Sequence, residues 1–235
     1  MHGHMERFYK EHRLFIDVLL IALILRLVFL NAVAAFVFDE TYYVPSARAL
    51  LQDGIDTNPE HPPLVKLVLA ASIALLGDNP ISWRLPSMLA GMAGAFFFYF
   101  IALEISKNKK VALLSAALLA FDPLNVLLSR TGMLDIFMLA FPLAGTFFLL
   151  KKNYPLAGLL FGLGIASKWP AALMFLAAVI FLLAQKKLEP RRLAVTVGFA
   201  AAAYLLVSLP FILSEGPAQW FSSQTYYIGK LTKYP

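Results

Sequence analysis

The stretch FDETYYVPSARALLQDGIDTNPEHPPLVK, residues 38–66, contains five carboxylates, one histidine and two basic side chains. The chain as a whole is 60% hydrophobic and 14% charged, with a mean hydropathy of +0.73. A soluble domain of this size carries about 25% charged residues, so this chain lacks the polar surface that water requires. The stretch therefore indicates a polar loop with a chemical purpose, set between membrane-embedded segments.

The apolar segments on both sides predict an all-α integral membrane protein with about seven transmembrane helices, because a run of about 18 apolar residues spans a bilayer. Residues 41–52 and 67–76 are expected to form short interfacial helices within a large first external loop, residues 38–83. The expected spans are 14–37, 84–104, 111–121, 136–150, 155–166, 171–184 and 193–213.

Two features inside these spans predict helix packing. Arg26 lies near the middle of the first span, where a basic residue costs about 2.5–3.5 kcal/mol on insertion scales, so it should face the bundle. Gly91 and Gly94 in the second span are suited to close helix contact.

The positions of the charges predict the orientation. If the N-terminus is cytoplasmic, the inside segments hold 12 of the 20 lysine and arginine residues, which satisfies the positive-inside rule. We therefore expect a multi-pass protein of the plasma membrane or endoplasmic reticulum with a cytoplasmic tail, 1–13, a transmembrane domain, 14–213, and an external tail, 214–235. The alternative for the last segment is the start of a truncated region. The basic residues lie in short clusters between apolar runs, which argues against a nucleic-acid partner.

Two groups of polar residues on the external face are candidates for chemistry. Asp39 and Glu40 follow the first span and, as adjacent residues, point in different directions on a helix, so we expect one to face the reaction and one to serve a structural partner. His61 precedes two prolines, and Lys66 lies in the first turn of the following helix, where a base beside free N–H groups suits a phosphate. Solvated loop charges and a snorkelling lysine are the alternatives.

Three further bases lie at the external ends of apolar segments. Arg84, Arg130 and Lys168 could converge with Lys66 in an anion pocket, or each could be an interfacial anchor. Asp135, five residues after Arg130, is either the ionic partner of that base or a catalytic group.

Five motifs in order resemble the protein O-mannosyltransferase family of GT-C glycosyltransferases. They are FDE at 38–40, HPPLVK at 61–66, WRLPSMLAG at 83–91, SRTGMLD at 129–135 and GLGIASKWP at 162–170. Residues 41–43 and Val65 depart from the pattern that many relatives of this family show, which leaves the donor sugar and the acceptor open.

The resemblance implies a GT-C-like transmembrane core that transfers mannose from a polyprenyl or dolichyl phosphate to Ser or Thr hydroxyls of an acceptor protein. It implies inversion at the sugar, no metal, and no cofactor besides the lipid-linked substrate. By the same resemblance Asp39 is the candidate general base, Glu40 its partner, and His61 and Asp135 are supporting residues. The candidates for holding the lipid phosphate are Lys66, Arg84, Arg130 and Lys168.

Other readings of the same residues stay open. A related GT-C enzyme could transfer a different sugar, such as aminoarabinose, to a lipid, and a noncatalytic scaffold could share the fold. A transporter would place charges near the midplane, where only Arg26 is clearly found, and a metal-dependent oligosaccharyltransferase would need more external acidic ligands. Besides the donor, the acceptor and membrane lipids, a dimer or a second subunit is left open.

Overall fold

The computed structural model describes residues 2–28 and 30–231, with side chains described for residues 6–28 and 30–226. Every regular element in this part of the chain is an α-helix. The helices are α1 His2–Leu27, α2 Glu40–Gln52, α3 Leu64–Leu76, α4 Pro80–Ser106, α5 Lys109–Phe121, α6 Pro123–Ser129, α7 Asp135–Leu150, α8 Tyr154–Ser167, α9 Ala171–Ala184, α10 Pro190–Glu215 and α11 Pro217–Leu231.

The helices confirm an all-α membrane fold. Within the described residues, α4 and α10 are long and apolar enough to cross a membrane, and the bent pair α5–α6 makes a third crossing if its two parts are one span. The remaining predicted spans from 136 to 184 are helices of 14–16 residues. Large apolar side chains on the outside, such as Leu75, Leu206 and Leu213, are more than two-thirds exposed, which a lipid-facing surface explains.

The first predicted span, 14–37, is wrong at its C-terminal end, because α1 stops at Leu27. Several backbone groups after it bond to side chains from other parts of the chain. Arg84 donates to the carbonyls of Leu30, Val33 and Ala35, and the N–H of Val37 donates to the Glu40 carboxylate. Buried backbone groups that are satisfied in this way need no helix.

The tail predicted after the last span, 214–235, received no secondary structure from the sequence. It contains the helix α11, which begins after Gly216, a residue with φ +86°. Gln224 of α11 donates to the carbonyl of Pro59 at 2.5 Å. The helix therefore folds back against the loop that follows α2.

Arg26 faces the bundle, as predicted. Its side chain is fully buried and donates to the carbonyls of Ala22 and Ala120 and to Asn125 Oδ1 at 2.7 Å. These bonds tie α1 to α5 and α6.

Glycines allow the closest helix contacts. A Cβ on Gly158 or Gly162 of α8 would lie 2.3 Å from a carbonyl oxygen of α10, at Thr196 and Ala200 respectively. Two glycines of α4 were predicted to allow close contact. A Cβ on Gly91 would lie 2.1 Å from Ser129 Oγ, whereas a Cβ on Gly94 would have ordinary van der Waals spacing. The small residues bring backbones together where apolar side chains alone would hold them apart.

The antiparallel helices give the bundle two ends. The Asp39 end contains residues 30–63, 130–135 and 167–171 and the start of α11. The Lys152 end contains residues 104–110, 150–154 and 184–192. A core of buried apolar residues from α2, α3, α4 and α7, including Tyr43, Val65, Leu69, Leu134 and Ile136, supports the Asp39 end from below.

Candidate functional site

Asp39 is the N-cap residue of α2 and is partly buried. Its side chain makes no capping bond, although aspartate at this position usually does. Its Oδ2 accepts one hydrogen bond, from the Tyr43 hydroxyl at 3.3 Å. The carboxylate is thus positioned by the helix but keeps acceptor capacity for another group.

Phe38, directly before it, has φ +53°. A left-handed conformation is uncommon for a residue with a large side chain, and such strained positions cluster at functional sites. The turn sets the direction in which Asp39 leaves the backbone.

Glu40 and Arg84 form a fully buried ion pair beneath Asp39. Arg84 Nε lies 2.8 Å from Glu40 Oε1, and one terminal nitrogen lies 2.9 Å from Oε2. Glu40 also accepts from the N–H groups of Val37 and Gly132, each at 2.8 Å. A buried charge pair needs additional hydrogen bonds of this kind to offset its desolvation.

This pair connects three segments of the chain. Arg84 comes from α4, Glu40 from α2 and Gly132 from the loop between α6 and α7. A Cβ on Gly132 would lie 3.0 Å from the carbonyl oxygen of Trp83, so glycine allows the loop to approach. With three more bonds to carbonyls in residues 30–35, all five N–H donors of Arg84 are used.

Lys66 has a similar structural position on the other side of α2. Its side chain is fully buried and donates to the Asp56 carboxylate, to the carbonyl of Asn58 and, at 2.9 Å, to the carbonyl of His61. Asp56 in turn accepts from Ser46 Oγ at 2.6 Å. All three ammonium protons of Lys66 are therefore engaged in holding the loop between α2 and α3.

Two adjoining cavities open beside Asp39. A small one of about 70 Å³ is lined by Asp39 and His61. A larger one of about 520 Å³ lies between the loop after α2 and α11, with Ser222 and Gln219 on its α11 side. The two cavities share the lining residues Tyr42, Asn58 and Glu60.

His61 lies in this site as a neutral group at pH 7. Burial lowers its pKa from the ordinary value of 6.5, and the positive charges of Lys168 and Lys66 lower it further, against the opposing effect of Glu60 and Asp135.

Lys168 follows the end of α8 and forms an ion pair of 2.8 Å with Asp135, the first residue of α7. Both side chains are about one-quarter exposed. Arg130 is the C-cap residue of α6. Asp135 pairs with Lys168.

The structure brings Asp39, Glu40 and His61 together at one end of the bundle, as the sequence predicts. None of the four bases Lys66, Arg84, Arg130 and Lys168 lines the two cavities. Lys66 and Arg84 have every donor engaged within the protein, whereas Lys168 is partly exposed. The roles of all four stay predictions.

Sequence reasoning missed two parts of the site. Asp56 received no role, because the sequence placed Lys66 at a phosphate or at the membrane surface, whereas a buried lysine requires a carboxylate partner. The α11 residues that line the larger cavity, among them Gln219 and Ser222, lie far along the chain from residues 38–66, and no local signal linked them to it. Among the described residues, no three His, Cys, Asp or Glu side chains are placed to hold a metal ion.

Comparison with known proteins places these features in a family. The profile described as dolichyl-phosphate-mannose-protein mannosyltransferase matches residues 60–213. A protein of Mycolicibacterium smegmatis named polyprenol-phosphate-mannose--protein mannosyltransferase is 27% identical over 83% of this chain and 47% of its own length. A protein of the same name from Corynebacterium glutamicum is 32% identical over 50% of this chain and 25% of its own length.

The fold has a solved counterpart. The crystal structure of ArnT from Cupriavidus metallidurans in the apo state aligns with a TM-score of 0.67 and 18% identity, over 91% of this chain and 42% of that one. This likeness confirms the GT-C-like transmembrane core. The chain spans about half the length of the M. smegmatis relative. On the profile match over most of its length, this chain belongs to the dolichyl-phosphate-mannose-protein mannosyltransferase family.

Proposed function

We propose that the chain is the transmembrane part of a glycosyltransferase that moves mannose from a polyprenyl or dolichyl phosphate to Ser or Thr hydroxyls of a protein. The observation that carries this proposal is the position of Asp39. It is a carboxylate with spare acceptor capacity in the lining of the small cavity, which adjoins the larger one, and the buried Glu40–Arg84 pair holds the residue that follows it. The names of the relatives support the donor and the protein acceptor.

The proposed reaction is a single displacement. Asp39 takes the proton of the acceptor hydroxyl, whose oxygen forms a bond to the anomeric carbon of mannose. The bond from that carbon to the phosphate oxygen breaks, and its electron pair leaves with the lipid phosphate. The configuration at the sugar is inverted, and the proton on Asp39 later passes to water. A base within hydrogen-bond reach of the hydroxyl is what such an attack requires.

The leaving phosphate needs a cation where its negative charge develops. We assign this role to Lys168, because it is partly exposed and its charge acts on His61 at the small cavity. Arg130 is the second candidate. Lys66 and Arg84 would then act indirectly, by holding the loops that carry His61 and Asp39.

The larger cavity suits a ligand rich in hydroxyl groups. Its volume of about 520 Å³ lies within the range of about 300–1,000 Å³ for small-molecule sites. Its lining combines two tyrosines with serine, glutamine and asparagine side chains. These groups can exchange hydrogen bonds with a hexose or with a Ser/Thr-containing peptide, while the tyrosines supply apolar area.

The proposed orientation puts the Asp39 end on the external or lumenal side and the N-terminus in the cytoplasm. The Lys152 end contains most of the lysine and arginine clusters, and cytoplasmic loops carry an excess of these residues. A lipid-linked donor explains why the site lies at membrane level.

The test uses the chain in nanodiscs with radiolabelled polyprenyl-phosphate mannose and a Ser/Thr-rich peptide. We expect Asp39→Asn to abolish transfer while donor binding is kept. Asp53→Asn, which alters an exposed carboxylate of the same stretch, is the matched control and should transfer normally. Transfer by Asp39→Asn at the parental rate would refute the base assignment.

Lys168→Gln separates binding from chemistry. It should weaken binding of the lipid phosphate, whereas a role confined to pairing with Asp135 would leave donor affinity unchanged. Asp135→Asn, which leaves the lysine in place, should keep most of the affinity.

A further inference from the structure

The Lys152 end contains a second polar cavity that the proposed reaction does not use. It has a volume of about 600 Å³ and lies where α4, α7 and α9 end and α8 and α10 begin. Five basic residues line it together with two carboxylates. The basic residues are Lys107, Lys152, Lys186, Lys187 and Arg192, and the carboxylates are Glu104 and Glu189.

The carboxylates balance only part of this charge. Glu104 is paired with Lys107 at 2.7 Å and with Lys151, and Glu189 is paired with Arg192 at 3.1 Å. Among the residues that the structure describes, Lys152, Lys186 and Lys187 form no ion pair. The cavity therefore presents an excess of positive charge to whatever enters it.

The backbone gives an independent indication. In the described part of the chain, four residues other than glycine have positive φ, and three of them are lysines of this cavity. Lys107 has φ +55°, Lys152 +61° and Lys186 +55°. Glycine is the usual residue at such a helix end, because it has no Cβ to clash. A lysine tolerates the position only at a conformational cost, and residues that bear such a cost cluster at functional sites.

The start of α10 adds to the imbalance. Its first turn contains Arg191 and Arg192 and no acidic residue, and its N-cap residue, Glu189, makes no side-chain capping bond. The N-terminus of a helix carries a partial positive charge and favours anions. Two arginines there are more stable when an anion is present.

We propose that this cavity binds a phosphate group of an anionic ligand, most readily the headgroup of a membrane lipid. Basic pockets between helices at a membrane face are suited to phospholipid headgroups, and the exposed lysines reach the surface that such a headgroup occupies. A soluble phosphate compound would present the same chemistry. The proposal does not depend on the reaction at Asp39.

The test measures lipid binding to the detergent-purified chain by native mass spectrometry. The probes are dioctanoyl phosphatidylglycerol, dioctanoyl phosphatidylcholine as the neutral headgroup, and inorganic phosphate. We expect phosphatidylglycerol to bind and phosphatidylcholine to bind far more weakly. Competition by phosphate would show that the headgroup is held through its phosphate. Binding of phosphate without binding of the lipid would identify a soluble ligand as the source.

The triple variant Lys152→Gln/Lys186→Gln/Lys187→Gln tests the cavity itself. Each lysine near an anionic headgroup contributes about a fivefold factor, so the triple variant should bind roughly a hundredfold more weakly. The matched control, Arg13→Gln/Lys109→Gln/Lys110→Gln, removes three exposed charges that lie together outside the cavity lining, and it should bind normally. Equal losses of phosphatidylglycerol affinity in both triple variants would mean that only net charge matters, and would overturn the site. Failure of the parent to bind either phosphatidylglycerol or phosphate would overturn it as well.

A second variant separates binding from folding. Lys152→Gly/Lys186→Gly removes two of the charges and also relieves two left-handed positions. It should bind phosphatidylglycerol about twentyfold more weakly without lowering the melting temperature. Parental affinity in this variant would overturn the proposal. Weaker binding with an unchanged or higher melting temperature would support it, because misfolding could not then explain the loss.

Discussion

Replacing Arg84 with methionine should produce the largest loss of stability of any single change at the Asp39 end. The change keeps most of the side-chain volume but leaves Glu40 as a buried charge without a partner. Breaking a buried ion pair from one side costs about 3–5 kcal/mol. The carbonyls of Leu30, Val33 and Ala35 also lose their donor, at about 1 kcal/mol each where water cannot replace it.

Changing the other member of the pair, in Glu40→Gln, should lower the free energy of unfolding by less. The amide oxygen can still accept from Arg84, and the three carbonyl bonds of Arg84 remain. The double variant Arg84→Met/Glu40→Gln removes the unpaired charge but not the loss at the carbonyls, so it should recover only part of the stability.

The assay is the melting temperature in detergent, followed by intrinsic fluorescence. The broken ion pair alone, at about 4 kcal/mol, corresponds to a fall of roughly 8–16 °C for a chain of this size, and the lost carbonyl bonds add to it. Lys107→Met, which removes an exposed ion pair with Glu104, is the control and should change the melting temperature little. A fall in Arg84→Met no larger than in this control, or full recovery in the double variant, would refute the framework assigned to Arg84.

Three other changes test separate features. Gly162→Ala should destabilise by about 1–3 kcal/mol, because its Cβ would meet the carbonyl of Ala200 at 2.3 Å, whereas Gly198→Ala, with nothing within 4 Å, should stabilise slightly. Phe38→Gly should raise stability by about 0.5–1 kcal/mol, as relief of left-handed strain exceeds the entropy cost of glycine. His61 has a lowered pKa, so the unfolded chain binds its proton first, and the parent should lose stability as pH falls below about 6.5. The variant His61→Gln should lose less stability over the same fall in pH.

Each of these has a result that contradicts it. Equal effects of alanine at 162 and 198 would mean that α8 and α10 are not in close contact. A less stable Phe38→Gly would show that the Phe38 ring contributes more than its strained backbone costs. Identical pH profiles with and without His61 would show that folding does not lower the pKa of this residue. Melting temperature in detergent measures all three.

The sequence predicted the membrane helices best where proline or charge marks both ends. The helix predicted at 171–184 is found as α9 with the same bounds, because Pro170 starts it and polar residues follow Ala184. The prediction that the first span reaches Val37 failed because residues 30–37 are all apolar except Asn31. Hydropathy alone cannot show that Arg84 from another helix binds three carbonyls of this segment.

The site was predictable as a set of residues but not as an arrangement. The local order of motifs located Asp39, Glu40 and His61 correctly at one end. The pairing of Lys66 with Asp56 and of Lys168 with Asp135 depends on contacts between distant segments, and periodicity carries no information about those. For the same reason the sequence predicted one phosphate-binding role for Lys66, Arg84 and Lys168, although the side chains of Lys66 and Arg84 are buried and have all their donors bonded.

The glycine contact between α8 and α10 has a consequence for motion. Two helices whose backbones touch through Gly158 and Gly162 move together as one stiff body, and Lys168 at the end of α8 moves with them. The larger cavity is lined instead by the loop after α2 and by α11, which the hydrogen bond from Gln224 to Pro59 joins. Widening that cavity at this point breaks one hydrogen bond, whereas separating α8 from α10 would break a continuous backbone contact.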